Sequence, residues 1–312
     1  MVLFACMLQK GLMLDSFSLT SSISASARAG SIRFGQQIHG HVTKRGFADE
    51  FVQNSLMDMY SKCGFVDLAY TIFEKMKEKS IVTWNCMICR FSQNGISVEA
   101  LQLFDETCLS CLDINKVTFL SSIQAGYLEK GEWIHHKLIV SGVQKDLYID
   151  TALIDMYAKC GDLKTAQGVF NSMPEKSVVL RSAMIAAYGI HGQITSATTL
   201  FSKMVELHIK PNEVTFISIL SACRQAGSVE EGKFYYNSMR DCGIVPNAEY
   251  FASIVDLLSC AGDIGGAYEI IKSACQPIDA SIRGALLNGC RIHGRMDLIQ
   301  NIHKGLKRNK KR

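Results

Sequence analysis

Twelve cysteines and eight histidines are the residues of this chain best suited to metal chemistry, and one cysteine spacing stands out. Cys86-x-x-Cys89 is followed, after eighteen intervening residues, by Cys108-x-x-Cys111, which matches a generic four-cysteine zinc pattern. Four thiolates would hold the ion as a closed structural site. Catalytic signatures are missing: there is no Gly-x-x-x-x-Gly-Lys phosphate loop, no Gly-x-Gly-x-x-Gly and no Gly-x-Ser-x-Gly elbow. No histidine is followed two residues later by glutamate, the pair that a zinc deaminase needs to hold its metal and move protons. The residues favour binding over catalysis, and we expect no enzyme and no cofactor.

The elements that carry these residues are repeated. The stretch beginning at Asn54, NSLMDMYSKCGFVDLAYTIFEKM, returns at Thr151 as TALIDMYAKCGDLKTAQGVFNSM. A small residue followed by apolar ones three, four and seven places later occurs at Ala69, Ile72, Phe73 and Met76, and again at Ala166, Val169, Phe170 and Met173. That spacing is one face of an α-helix. Anchors of this kind run Gly35, Ala69, Ala100, Gly131, Ala166, Ala197, Gly232 and Ala267, at intervals of 31 to 35 residues. Before each lies a second apolar segment, as at Leu56, Met57 and Tyr60, closed by a glycine turn such as Lys62-Cys63-Gly64. Each period is therefore helix, turn, helix. Helices this short are marginal alone and must stack, so the fold class is all-α, a solenoid. Cys86 and Cys89 then fall inside a first helix whose counterparts lack cysteine there, and we expect no metal.

The periods resemble plant pentatricopeptide repeats. "Ala-Leu-Ile-Asp-Met-Tyr-Ala-Lys-Cys-Gly" from Ala152, "Ile-Val-Thr-Trp-Asn" from Ile81 and "Gly-Gln-Gln-Ile-His" from Gly35 are similar to that family's short, standard and long motifs, the alternation of its PLS class. The resemblance implies a right-handed α-solenoid superhelix with repeats at 16–49, 50–80, 81–115, 116–146, 147–177, 178–212, 213–247 and 248–279. Residues 1–15 would be a partial repeat, and 280–312 an E-like motif, from Ala285, cut short before a basic tail.

The same resemblance implies binding of single-stranded RNA, one base per repeat, read by the fifth and last residues of a motif. These pairs are Thr20 with Asp49, Asn54 with Ser80, Asn85 with Asn115, Thr151 with Ser177, and Ser182 with Asn212. By analogy, Asn54 and Asn85 would read pyrimidines and Ser182 adenine; Leu120 and Ile217 cannot hydrogen-bond to a base and are assigned none. Taken without the resemblance, Ser, Thr and Asn near a helix start are ordinarily caps.

Six of the 33 basic residues lie in Lys304–Arg312, leaving 27 against 29 acidic ones elsewhere, so strong nonspecific phosphate binding is not expected of the repeats. No apolar run is long enough to cross a bilayer. The resemblance implies an organelle, the mitochondrion ahead of the chloroplast, and a role in RNA editing with a deaminase-bearing or editing-accessory partner supplying catalysis. The alternatives are a helical-repeat scaffold for protein interaction, or a truncated paralogue with impaired RNA binding.

Two departures from the pattern carry structural expectations. Phe119 precedes Gly131 by 12 residues where Leu19 precedes Gly35 and Phe216 precedes Gly232 by 16, so the first helix from Lys116 should lack about one turn. Arg181 takes the place of Trp84, 97 residues on; an unpaired guanidinium there would cost several kcal/mol if buried.

Overall fold

Helix-favouring periodicity with a glycine stop in each period produces helical hairpins throughout. In the computed structural model, which describes residues 2–10, 14–46, 49–110, 112–125, 128–273 and 280–295, the helices run in the order α1 (Val2–Gln9), α2 (Ser16–Arg28), α3 (Ile32–Lys44), α4 (Glu50–Lys62), α5 (Val66–Lys75), α6 (Ile81–Gln93), α7 (Ser97–Leu109), α8 (Lys116–Ala125) and α9 (Leu128–Val140). They continue as α10 (Leu147–Lys159), α11 (Leu163–Ser172), α12 (Val178–Ile190), α13 (Ile194–Glu206), α14 (Glu213–Ala226), α15 (Val229–Asp241), α16 (Ala248–Cys260), α17 (Ile264–Ser273) and α18 (Ala280–Ile292). No strand occurs among the described residues. None of their helices is long and apolar enough to cross a membrane.

The chain forms two compact units, Met1–Ala152 and Leu153–Arg312. In the first, α2 packs on α3 and α4, α4 on α5 and α6, and α6 on α7 and α8. Each even-numbered helix thus leans on its hairpin partner and on the next even-numbered helix. The second unit repeats the arrangement, with α12 against α13 and α14, α14 against α15 and α16, and α16 against α17 and α18.

All eight anchor residues are buried, and the apolar stripes close over them. Leu19, Ile38, Leu56, Met87, Phe104 and Phe119 are almost wholly buried in the first unit, as are Ile185, Phe216, Ile219, Tyr250, Ile254 and Leu286 in the second. Each such side chain contributes about 1.5–3 kcal/mol. Small residues matter where even-numbered helices meet: a Cβ on Gly189 of α12 would lie 2.8 Å from the Cβ and 2.9 Å from the Cα of Ala222 on α14. The turns need glycine for another reason, since Gly64 and Gly161 take φ of 83° and 91°, the left-handed region.

The shortened period has its expected consequence. α8 has 10 residues where α14 has 14. The expectation for Arg181 is only half met: it is 7% exposed, but its Nε–H donates to the carbonyl of Lys176 at 3.0 Å. It is paired, so the penalty foreseen for a lone guanidinium does not apply. Its counterpart Trp84 packs edge-on against Phe73 at 5.0 Å, a contact the arginine replaces with a hydrogen bond.

Candidate nucleic-acid interface

Every even-numbered helix from α2 to α16 starts just after a short polar residue, which accepts from its first-turn amides. Asp15 accepts from the N–H of Ser18, Asp49 from Phe51, Ser80 from Val82 and Asn115 from Val117. Asp146 accepts from Ile149, Ser177 from Leu180, Asn212 from Thr215 and Asn247 from Tyr250. Thr215 donates its hydroxyl to Asn212 and accepts from its N–H, completing a capping box. The last residue of each period up to Asn247 is therefore a helix cap.

The fifth residues are not caps. They lie one turn inside the helix, where Thr20, Thr151 and Ser182 donate to the carbonyls of Phe17, Leu147 and Val178. Neighbouring even-numbered helices then bring three of the expected pairs together. Asn85 Nδ2 donates directly to Asn115 Oδ1 at 3.3 Å. Asn54 and Ser80 meet through two intermediaries: the Thr83 hydroxyl shares its one hydrogen between Glu50 Oε1 at 2.6 Å and Asn54 Oδ1 at 3.0 Å, and Ser80 donates to the same Glu50 oxygen. Those two hydroxyls hold the Glu50 carboxyl below its ordinary range.

Ser182 and Asn212 are joined by Thr215, whose hydroxyl lies 2.8 Å from Ser182 Oγ and 2.9 Å from Asn212 Oδ1. Ser182 is fully buried, whereas Asn54 is half-buried and Asn85 is 6% exposed with Oδ1 lacking any partner. Thr20 and Asp49 are partly exposed and share no hydrogen bond; Asp49 instead accepts from Ser16. Thr151 belongs to the first unit and Ser177 to the second.

Sequence reasoning missed an apolar ladder beside these residues. Phe17, Phe51, Val82, Val117 and Tyr148 in the first unit, and Val179 and Val214 in the second, are all exposed, Phe17 at 79%. Each is the second residue of its period. A cleft of about 530 Å³ separates Phe17, Phe51 and Val82, with Thr20, Asn54 and Asp58 among its polar lining. Exposed flat or branched faces alternating with hydrogen-bonding groups suit unstacked bases, since every base has a π-face. An apolar residue recurring off the core face was the signal available in the sequence.

Among the described residues no group of three or more His, Cys, Asp or Glu is placed to hold a metal ion. Cys86 and Cys89 lie on α6 and Cys108 on α7, and burial pushes the Cys86 thiol up, away from the thiolate a metal needs. Cys111 lies outside the described residues. Two histidines serve the repeats in the same way: His191 and His293 each bond through Nε2 to the carbonyls of Ala158 and Cys260, at 2.9 Å and 33 residues back.

The PPR repeat model matches residues 54–81, 82–108, 151–178 and 214–244, and the PPR repeat family model matches 176–225. A mitochondrial pentatricopeptide repeat-containing protein of Arabidopsis thaliana is 38% identical over 97% of this chain and 56% of its own length. The chain belongs to the pentatricopeptide repeat family. A chloroplastic relative from the same plant is 37% identical over 92% of this PPR chain and 34% of its own, so the chain spans about half or less of these relatives. Maize PPR10 has the same fold, with a TM-score of 0.68 at 17% identity over 98% of this chain and 50% of that one. In complex with an 18-nt psaJ RNA element, PPR10 aligns with a TM-score of 0.60.

Proposed function

We propose that this PPR chain binds single-stranded RNA base by base along the capped ends of its even-numbered helices. The apolar ladder would take base faces, and the pairs Thr20 with Asp49, Asn54 with Ser80, Asn85 with Asn115, Thr151 with Ser177 and Ser182 with Asn212 would be the positions for base edges. The observation that carries this is Asn85. Its amide is held against Asn115 between exposed Val82 and Val117, yet keeps one oxygen without a partner, and a buried polar group left open is costly unless something completes it. PPR10 supports the reading, being a family member of the same fold crystallised with RNA.

The alternation of period lengths supports the PLS class, with Ala285–Gly294 as an E-like motif. Relatives named mitochondrial or chloroplastic support an organellar role, which we place in the mitochondrion first. In RNA editing the chain would supply the address, and a deaminase-bearing or editing-accessory protein the catalyst.

Purified protein should enrich particular bases from a random single-stranded RNA pool, and Asn85→Ala should erase the preference at one position at unchanged melting temperature. Retention of RNA with no base preference would sink the reading and leave a protein-interaction scaffold.

A further inference from the structure

The first residue of a period repeatedly bonds the last residue of the same period. Ser16 donates to Asp49, Ser80 donates to Glu50, and Lys116 Nζ donates to Asp146 at 3.3 Å. Ile81, which opens the period ending in Asn115, has no polar group to do so. Because the last residue also caps the next helix, its first-residue partner decides what hydrogen-bonding capacity remains to face a ligand.

The consequence is sharpest at Glu50. A serine hydroxyl has one hydrogen and two lone pairs. At Ser80 the hydrogen goes to Glu50 Oε1 and one lone pair accepts from the N–H of Val82, so only an acceptor is left. Both hydroxyl bonds to Glu50 fall on Oε1, and the carboxylate-bearing side chain is partly exposed. Asn54 Oδ1 shares the single Thr83 hydroxyl hydrogen with Glu50, and Nδ2 is left as a donor. Asn54 thus offers one amide donor in the opening between Phe51 and Val82, and the Ser80–Glu50 pair at the ends of the same period keeps a serine lone pair and a partly exposed carboxylate.

We propose that Glu50 is a specificity-determining residue, making the period 50–80 select bases that carry an exocyclic amine, cytosine or adenine, over bases with a carbonyl there, uracil or guanine. The inference rests on the RNA reading above. A carboxylate accepts readily from the cytosine amine, while its lone pairs oppose those of a carbonyl oxygen. By the same logic Lys116 neutralises Asp146 in the period 116–146, so the first residue tunes each site separately.

The full chain is equilibrated with a random single-stranded RNA pool and the retained RNA is sequenced. Asn54→Ala, by the position whose preference it erases, marks the base that this period contacts. Wild type is expected to favour cytosine or adenine there by about tenfold. Glu50→Ala frees the Ser80 hydrogen and should cut that ratio to about threefold or less, leaving the position marked by Asn85→Ala unchanged. Glu50→Gln, which keeps an acceptor for Ser80 without the charge, should fall between and serves as the test if the alanine variant folds poorly. An unchanged ratio in both variants, or a wild-type preference for uracil or guanine, overturns the role of Glu50. A wild type with no base preference at any position overturns the RNA reading itself.

Discussion

The Ser182–Thr215–Asn212 chain offers a quantitative test of how even-numbered helices are held in register. Thr215 is fully buried, and its hydroxyl serves Ser182 on α12, the Asn212 side chain and the Asn212 N–H. Thr215→Val keeps the shape and removes all three bonds. A buried hydrogen bond contributes about 1 kcal/mol; the cap itself, Asn212 Oδ1 accepting from the Thr215 N–H, survives in valine, and with one hydroxyl hydrogen shared among the three bonds Thr215→Val should cost about 2 kcal/mol. Ser182→Ala loses the Thr215 bond and the bond to Val178, about 1–1.5 kcal/mol. Since both singles remove the shared bond, the double variant should cost about 1 kcal/mol less than their sum. Hydrogen exchange of amides in α12 and α14 is the assay, because it reads local opening in one unit where a single melting curve merges two. Additivity within about 0.3 kcal/mol would refute the coupling. The same variants bear on specificity: Ser182→Ala should also erase the base preference at its position, and an unchanged preference would mean that the hydroxyl stays engaged with Val178 and Thr215 and reads no base.

Two further perturbations probe charges buried in the repeats. Burial raises the Asp150 carboxyl above its ordinary value, and Oδ2 has no partner; its contribution to stability is then fully present below the ordinary value of 3.8 and is lost as pH rises from there through the raised folded-state value. Asp150→Asn should therefore stabilise by about 1 kcal/mol near pH 7, with the gain vanishing toward pH 3.8, and a gain independent of pH in denaturant titrations would contradict the assignment. Arg181→Lys keeps the charge but loses the directed Nε–H bond to Lys176, which should cost about 1–2 kcal/mol; exchange protection of α12 equal to wild type would show that the bond contributes nothing.

Much of the fold was legible because periodic apolar residues have one way to be buried. The anchors from Gly35 to Ala267, the turn at Gly64 and the four-residue deficit in α8 all follow from spacing within one period. Contacts between periods were not legible. Glu50 meets Thr83 across 33 residues and Ser182 meets Thr215 across the same separation, and both depend on how closely even-numbered helices approach, which Gly189 and Ala222 set in the second unit. Arg181 looked unpaired because its partner is a backbone carbonyl, invisible to residue type. The apolar ladder was passed over because apolar residues at helical spacing read as core, while Phe17 and Phe51 point away from it.

Capping and base reading present themselves as rival explanations of the same Ser, Thr, Asn and Asp residues, and in the structure capping falls on the period-final ones. A period-final residue such as Asn115 gives one oxygen to the amides of Val117 and Thr118 and accepts from the Asn85 side chain on that same oxygen. Substituting it therefore always carries a helix-start penalty of about 0.5–2 kcal/mol, whatever it does to a ligand. Fifth residues carry no such load. Asn54 bonds only to the Thr83 hydroxyl, so it can change with little strain. Base preference in such a repeat is thus free to drift at the fifth position, is restricted at the last to residues that also cap, and is adjusted by a first residue that neither caps nor packs in the core. Glu50 occupies that third place.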